Sequence, residues 1–276
     1  MSVKIDESGR RSVQVEVEVP GTPEEVWRTI ATGPGVSSWF VPCEIEERDG
    51  GTVTCHFGPG MDSVSTITEW NPPHRFAALG GEVVQGGPPV ATEWIVEARD
   101  GGTCVVRVVH SLFASTDDWD NQLESVESGW PGFFRILRLY LAHFKGQPSA
   151  PFQLMAASPA SEADAWKAFT TGLGLPEKAA EGERVSASAA GAPPFGGVMD
   201  WTGDAKHPHV FFLRLDEPGP GAATLGAFRM GEQTLLMVSL YLYGEDAAAL
   251  AARDQPVWQE WIQQQFAPAT AADCVA

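Results

Sequence analysis

Basic residues are scarce in this chain: 18 Lys and Arg stand against 36 Asp and Glu, a formal net charge of -18. Such an excess repels polyphosphates and leaves no basic stripe to track a nucleic-acid backbone or an anionic membrane, which excludes both as partners. Cysteine is sparse too. The four present, Cys43, Cys55, Cys104 and Cys274, show no Cys-x-x-Cys spacing, and in a chain long enough to build a core without staples they are expected to be reduced thiols. Cys55 and Cys104 fall in strand-like runs, where a small buried apolar role is expected before a nucleophilic one. No run of about 18 apolar residues occurs, and the opening MSVKIDESGRRSVQVEVEVP lacks an apolar core of signal-peptide length, so a soluble, cytoplasmic protein is expected. Neither a Gly-x-Ser-x-Gly elbow nor a glycine-rich phosphate loop is present, which removes the usual support for serine-hydrolase and nucleotide-dependent chemistry.

What is present is globular: 276 residues, 43% hydrophobic and 20% charged, enough for one large or two small domains. Val13, Val15, Val17 and Val19 alternate with polar residues, the period of a half-buried strand. Thr22, Pro23 and Glu25 then spell a helix start, because the threonine hydroxyl and the glutamate can satisfy orphan backbone donors reciprocally. This short helix carries Trp27 and Ile30, stops at Gly33-Pro34-Gly35, and is followed by Trp39-Phe40. Strand-like runs at Thr52 to Phe57, Val64 to Trp70, Arg75 to Leu79, Ala91 to Glu97 and Thr103 to Leu112 predict an antiparallel meander. An acidic loop, DDWDNQLESVES, precedes a stripe of Trp130, Phe133, Phe134, Leu137, Tyr140, Leu141 and Phe144, a long amphipathic helix. At about 15 residues it spans roughly 22 Å, enough to lie across the face of a curved sheet.

The sequence then repeats itself. Lys145 to Pro151 reads as a linker, after which ASEADAWKAFTTGLGL lies without gaps under GTPEEVWRTIATGPGV, pairing Trp166 with Trp27, Gly172 with Gly33, and Ser161 with the cap Thr22. At the far end Trp258, Trp261 and Ile262 recover the spacing of Trp130, Phe133 and Phe134. Between these ends HVFFLRL, AATLGAFRM and TLLMVSLYLYG predict a smaller sheet, and Glu177 to Gly197, rich in small residues and aperiodic, reads as a loop.

In order and motif the first half resembles the START-like superfamily, also called SRPBCC or helix-grip, and within it the branch named after an activator of a heat-shock chaperone ATPase. The resemblance is carried by TPEEVWRTIATGPGVSSWF, TEWNPPHRF, GGTCVVRVVHS and DDWDNQLESVESGW. It implies an α+β fold of two tandem helix-grip domains, 11–145 and 152–270, each a curved antiparallel sheet wrapped around a long C-terminal helix, the second copy degenerate. Polyketide cyclases share that fold, and the tandem order is similar to didomain aromatase/cyclases. Chaperone activation is not implied, because in that branch it belongs to eukaryotic proteins with a further domain ahead of this fold.

A sheet gripping a helix encloses an apolar concavity suited to a small ligand, so function is expected on inward positions. Cys104, Val106, Val108, His110 and Leu112 share one strand face, and Trp94 lies inward on the preceding strand. Phe57 is expected inward and His56 outward by alternation, with Trp39, Phe40, Trp130 and Phe134 as an aromatic rim and roof. The predicted site is therefore Trp39, Phe40, Phe57, Trp94, Val108, His110, Trp130 and Phe134, with His110 as candidate proton relay or as a hydrogen-bonded core histidine. No cofactor and no resident metal are predicted: His207-Pro208-His209 near Asp204 lacks a third ligand at a suitable spacing. The leading expectation is a binder of an apolar or aromatic small molecule. A cyclase, dehydratase or lyase in the same cavity is the second, and an interaction module using the acidic surface is the third.

Overall fold

The computed structural model describes residues 3–57, 62–82, 88–113 and 120–268, and the chain divides into two compact units, Met1–Lys145 and Gly146–Ala276. Both units are α+β, each an antiparallel sheet with a long helix that follows its last long strand. Among the described residues no helix is long and apolar enough to cross a membrane.

The first domain runs β1 (Lys4–Ile5), β2 (Arg10–Pro20), α1 (Pro23–Ala31), α2 (Gly33–Ser37), β3 (Cys43–Ile45), β4 (Thr52–His56), β5 (Asp62–Asn71), β6 (Arg75–Glu82), β7 (Pro89–Arg99), β8 (Thr103–Phe113) and α3 (Asp120–Leu139), which ends in a π-helical turn at Tyr140–Phe144. Its sheet order is β1-β2-β8-β7-β6-β5-β4-β3, a meander whose last strand closes back onto β2, with Val13 opposite His110. The capping box forms as its residues dictate: Glu25 N donates to Thr22 Oγ1 and Thr22 N donates to the Glu25 carboxylate. Gly33-Pro34-Gly35 does more than end this helix. Thr32 Oγ1 accepts from Gly35 N and caps α2, and a side chain at Gly35 would stand 2.1 Å from the Arg28 carbonyl, so only glycine fits.

The acidic stretch expected to be a loop is helical from Asp120; Asp117, Asp118 and Trp119 lie outside the described residues. Two tertiary contacts explain the extra turns. Nε and Nη2 of Arg11 donate to the two oxygens of the Asp120 carboxylate, and Leu123 is buried against Val13 and Leu112.

The cysteines also depart from expectation. Cys43 and Cys55 form a disulfide, whereas Cys104 is a buried free thiol and Cys274 lies outside the described residues. Strand register is the cause: Cys43 and Cys55 face each other across β3 and β4, with Cα atoms 4.3 Å apart. A cross-link over so short a loop is worth roughly 3 kcal/mol in the chain-entropy view.

The second domain runs β9 (Ser149–Ser158), α4 (Glu162–Leu173), β10 (Arg184–Ala187), β11 (Phe195–Trp201), β12 (Val210–Glu217), β13 (Gly221–Met230), β14 (Gln233–Tyr243), α5 (Ala247–Gln265) and β15 (Ala267–Pro268), in sheet order β10-β11-β12-β13-β14-β9-β15. The repeat is visible in three dimensions. Ser161 caps α4 through Asp164 N, as Thr22 caps α1, and β14 pairs with β9 as β8 pairs with β2. β9 begins inside the stretch read as a linker, and the aperiodic Glu177 to Gly197 region holds β10 and the start of β11. Their pairing buries Val185 and Ala187 on alternate positions, too short a pattern to stand out among small residues.

Candidate functional site

The inward face of the first sheet is built by register. Thr92, Trp94 and Val96 on β7 face His110, Val108 and Val106 on β8, and Phe76 on β6 faces Trp94. Arg107 and Glu93 take the other face: Arg107 pairs with Glu16 and Glu97, and Glu93 pairs with Arg75. α3 packs on β2 and β8 and presents Trp130, Phe133 and Phe134 to the same space.

Seven of the eight predicted residues come together there. Trp39 is fully buried, its indole N–H donating to the Thr29 carbonyl at 3.0 Å, so the residue after α2 is tied to α1. Its ring lies within 6.5 Å of Trp94, Trp130 and Phe134, and Phe40 stacks on Trp130 with ring centroids 5.2 Å apart. Val108 is fully buried beneath them. Phe57 stands apart. It is 48% exposed, because β4 ends at His56 and the ring stands beyond the last paired residue, where it meets Phe40 at 5.6 Å. Where a cavity was expected, the rings of Trp39, Trp94, Trp130 and Phe134 pack against one another.

His110 is the polar centre of this cluster. Trp130 Nε1–H donates to His110 Nε2 at 2.7 Å, which fixes the neutral tautomer with its proton on Nδ1, 3.0 Å from Thr92 Oγ1. The imidazole stacks on the Trp130 indole, and burial pushes its pKa from 6.5 down to about 4. Both nitrogens are therefore occupied and the ring is neutral at pH 7, the arrangement of a hydrogen-bonded core histidine. A proton relay through Nε2 requires the indole to leave first.

Sequence reasoning passed over Thr92 and Phe133. Thr92 shares the face of Trp94 and sits opposite His110, so strand alternation contained the signal; Phe133, half-buried and 4.5 Å from Phe40, was visible in the helical stripe. His56 faces outward, with Nδ1 2.9 Å from Asp62 Oδ1 across the β4–β5 pair. His207 belongs to a turn in which Asp204 Oδ1 accepts from the backbone N–H groups of Lys206 and His207.

Among its described residues the second domain offers no equivalent. Where β8 carries His110, β14 turns Leu236, Val238, Leu240 and Leu242 into a solid core with Trp166, Phe169, Trp258 and Trp261. An open surface groove in that domain, lined by Pro218, Gly219, Pro220, Glu245, Asp246 and Arg253, contains none of the predicted residues.

Residues 10–139 match the family described as polyketide cyclase / dehydrase and lipid transport. No curated protein matches the sequence. Among solved structures, DynU16, from the dynemicin biosynthetic locus, is 15% identical and aligns over 96% of this chain and 99% of its own, with a TM-score of 0.43. The di-domain ARO/CYC BexL of the BE-7585A biosynthetic pathway is 13% identical over 94% of this chain and 100% of its own, TM-score 0.43. The Aha1 dimer of Colwellia psychrerythraea is 19% identical over 49% and 98%, TM-score 0.41. The family match thus falls within the first of the two units, Met1–Lys145.

Proposed function

We propose that the first domain binds a flat apolar or aromatic molecule between its sheet and α3, the second domain serving as a degenerate partner. One observation carries this reading: the rings form an unbroken path from solvent to interior. Phe57 meets Phe40, Phe40 stacks on Trp130, Trp130 meets Phe134, and Phe134 meets the fully buried Trp39. A core filled only for stability has no need to continue to the surface as half-buried and exposed aromatics. The lipid-transport and cyclase character of the matching family accords with it. In this reading the packed rings are the empty state, and the half-buried Phe40 and Phe133 swing to admit a ligand. Carriage is favoured over turnover because His110 has both nitrogens engaged.

The test is a fluorescence titration with N-phenyl-1-naphthylamine, a neutral probe suited to an acidic protein. Saturable binding is expected, weakened about tenfold or more by Phe40→Ala and unaffected by Leu79→Ala on the exposed outer face. Equal binding by the Phe40 variant would sink the site. Incubation with a cell extract separates carriage from catalysis: a molecule released unchanged supports the carrier, whereas one consumed, with His110→Ala stopping its loss, supports a cyclase, dehydratase or lyase.

A further inference from the structure

We infer that the Cys43–Cys55 disulfide is a thiol-operated latch on this site, an inference that rests on the ligand-binding function proposed above. The bond joins the two chain segments that carry the outermost rings. Phe40 lies three residues before Cys43, and Phe57 two residues after Cys55. β3 is the outer edge of the sheet, tied down by three register pairs to β4, the Glu46 N–H donating to the Thr52 carbonyl and the His56 N–H to the Pro42 carbonyl, each at 2.9 Å, and Ser37, whose Oγ accepts from Cys43 N at 2.9 Å and donates to the Cys43 carbonyl at 3.4 Å. Val36, Val41 and Cys43 form a small cluster against which Phe40, Ile45 and Cys55 pack, so the bond and the rim ring share one patch of packing. Closing the disulfide holds Phe40 against Phe57 and stacked on Trp130; opening it frees the edge segment to carry Phe40 away.

The chemistry balances with a dithiol as reductant. A dithiol thiolate attacks the sulfur of the half-buried residue Cys55, the sulfur–sulfur bond breaks, and its electron pair leaves on Cys43, which takes a proton. The second thiol of the reductant then resolves the mixed disulfide, so two cysteine thiols form and the reductant leaves as its own disulfide. The remaining described cysteine, Cys104, is buried with its thiol donating to the Gly21 carbonyl, and takes no part.

Stopped-flow mixing of the full chain with N-phenyl-1-naphthylamine, oxidised and after dithiothreitol, tests the latch. Probe entry and exit are expected to speed up about fivefold or more on reduction, since a gated site binds more slowly than an open one. The Cys43→Ser/Cys55→Ser variant is expected to match the reduced wild type with or without dithiothreitol. Equal rates in the oxidised and reduced chains, with binding intact, overturn the latch alone. Absence of binding in both states overturns the ligand-binding reading and the latch with it. Loss of the folded circular-dichroism signal on reduction makes the bond a structural staple and overturns the latch.

Discussion

His110 shows how one polar side chain is accommodated in an aromatic interior. Its strand position decides that it points inward, burial keeps it neutral, and its two neighbours, Thr92 across the ladder and Trp130 from α3, decide its tautomer. Neutrality has a measurable consequence for stability. The folded-state pKa lies near 4 against an ordinary 6.5, so the unfolded chain binds the extra proton between those values and the folded chain does not. Stability is therefore complete above pH 6.5 and falls as the pH drops toward 4, by an amount on the order of 3 kcal/mol from this residue alone. Urea denaturation across that window checks it: His110→Gln should lose this part of the pH dependence, leaving only the decline due to carboxylates such as Asp120, which Arg11 holds below the usual range. If both proteins show the same slope, desolvation at His110 is not what couples folding to pH.

At the scale of elements, the two halves reuse one local design. A hydroxyl caps the first long helix of each domain, Thr22 with a reciprocal glutamate and Ser161 with Asp164. The ends of the helices differ as their last residues require: α4 closes on Gly174 at φ 71, where glycine alone is unstrained, whereas α1 hands over directly to the Thr32 cap of α2. Thr22→Ala and Ser161→Ala should each cost about 1 kcal/mol. Hydrogen exchange is the suitable readout, because the loss should be confined to α1 in the first variant and to α4 in the second; protection lost equally in both helices would contradict independent capping. Much of this level was legible in advance, since caps, turns and strand alternation are local. Two segments read differently from the structure, Asp120 to Ser128 and Arg184 to Ala187, take their order from partners far along the chain: Arg11, Val13 and Leu112 for the first, the β11 ladder for the second.

For the molecule as a whole, the charge of -18 acts on whatever approaches it. The proposed apolar site, set in such a field, favours neutral over anionic ligands. N-phenyl-1-naphthylamine is expected to bind about tenfold more tightly than its sulfonated relative 1-anilinonaphthalene-8-sulfonate at roughly 0.01 M salt, the gap narrowing by roughly 0.15 M as the screening length falls from about 30 to 8 Å. A gap that ignores salt would place the discrimination in the contacts of the site rather than in the field around it.

What the amino-acid sequence determined by itself is what local chemistry can decide: helix starts at Thr22 and Ser161, the period-two strands, the stripe on α3, the tandem repeat, and the inward face that holds Val108 and His110. Those features depend on neighbours within a turn or a strand, so pattern suffices. Only the tertiary structure decided that Cys43 and Cys55 stand opposite each other, that Trp130 closes onto His110, and that Phe57 falls beyond the end of β4. Each of these depends on register between strands or on the depth of a helix against a sheet. A shift of one residue in either would leave the sequence pattern intact and separate the partners.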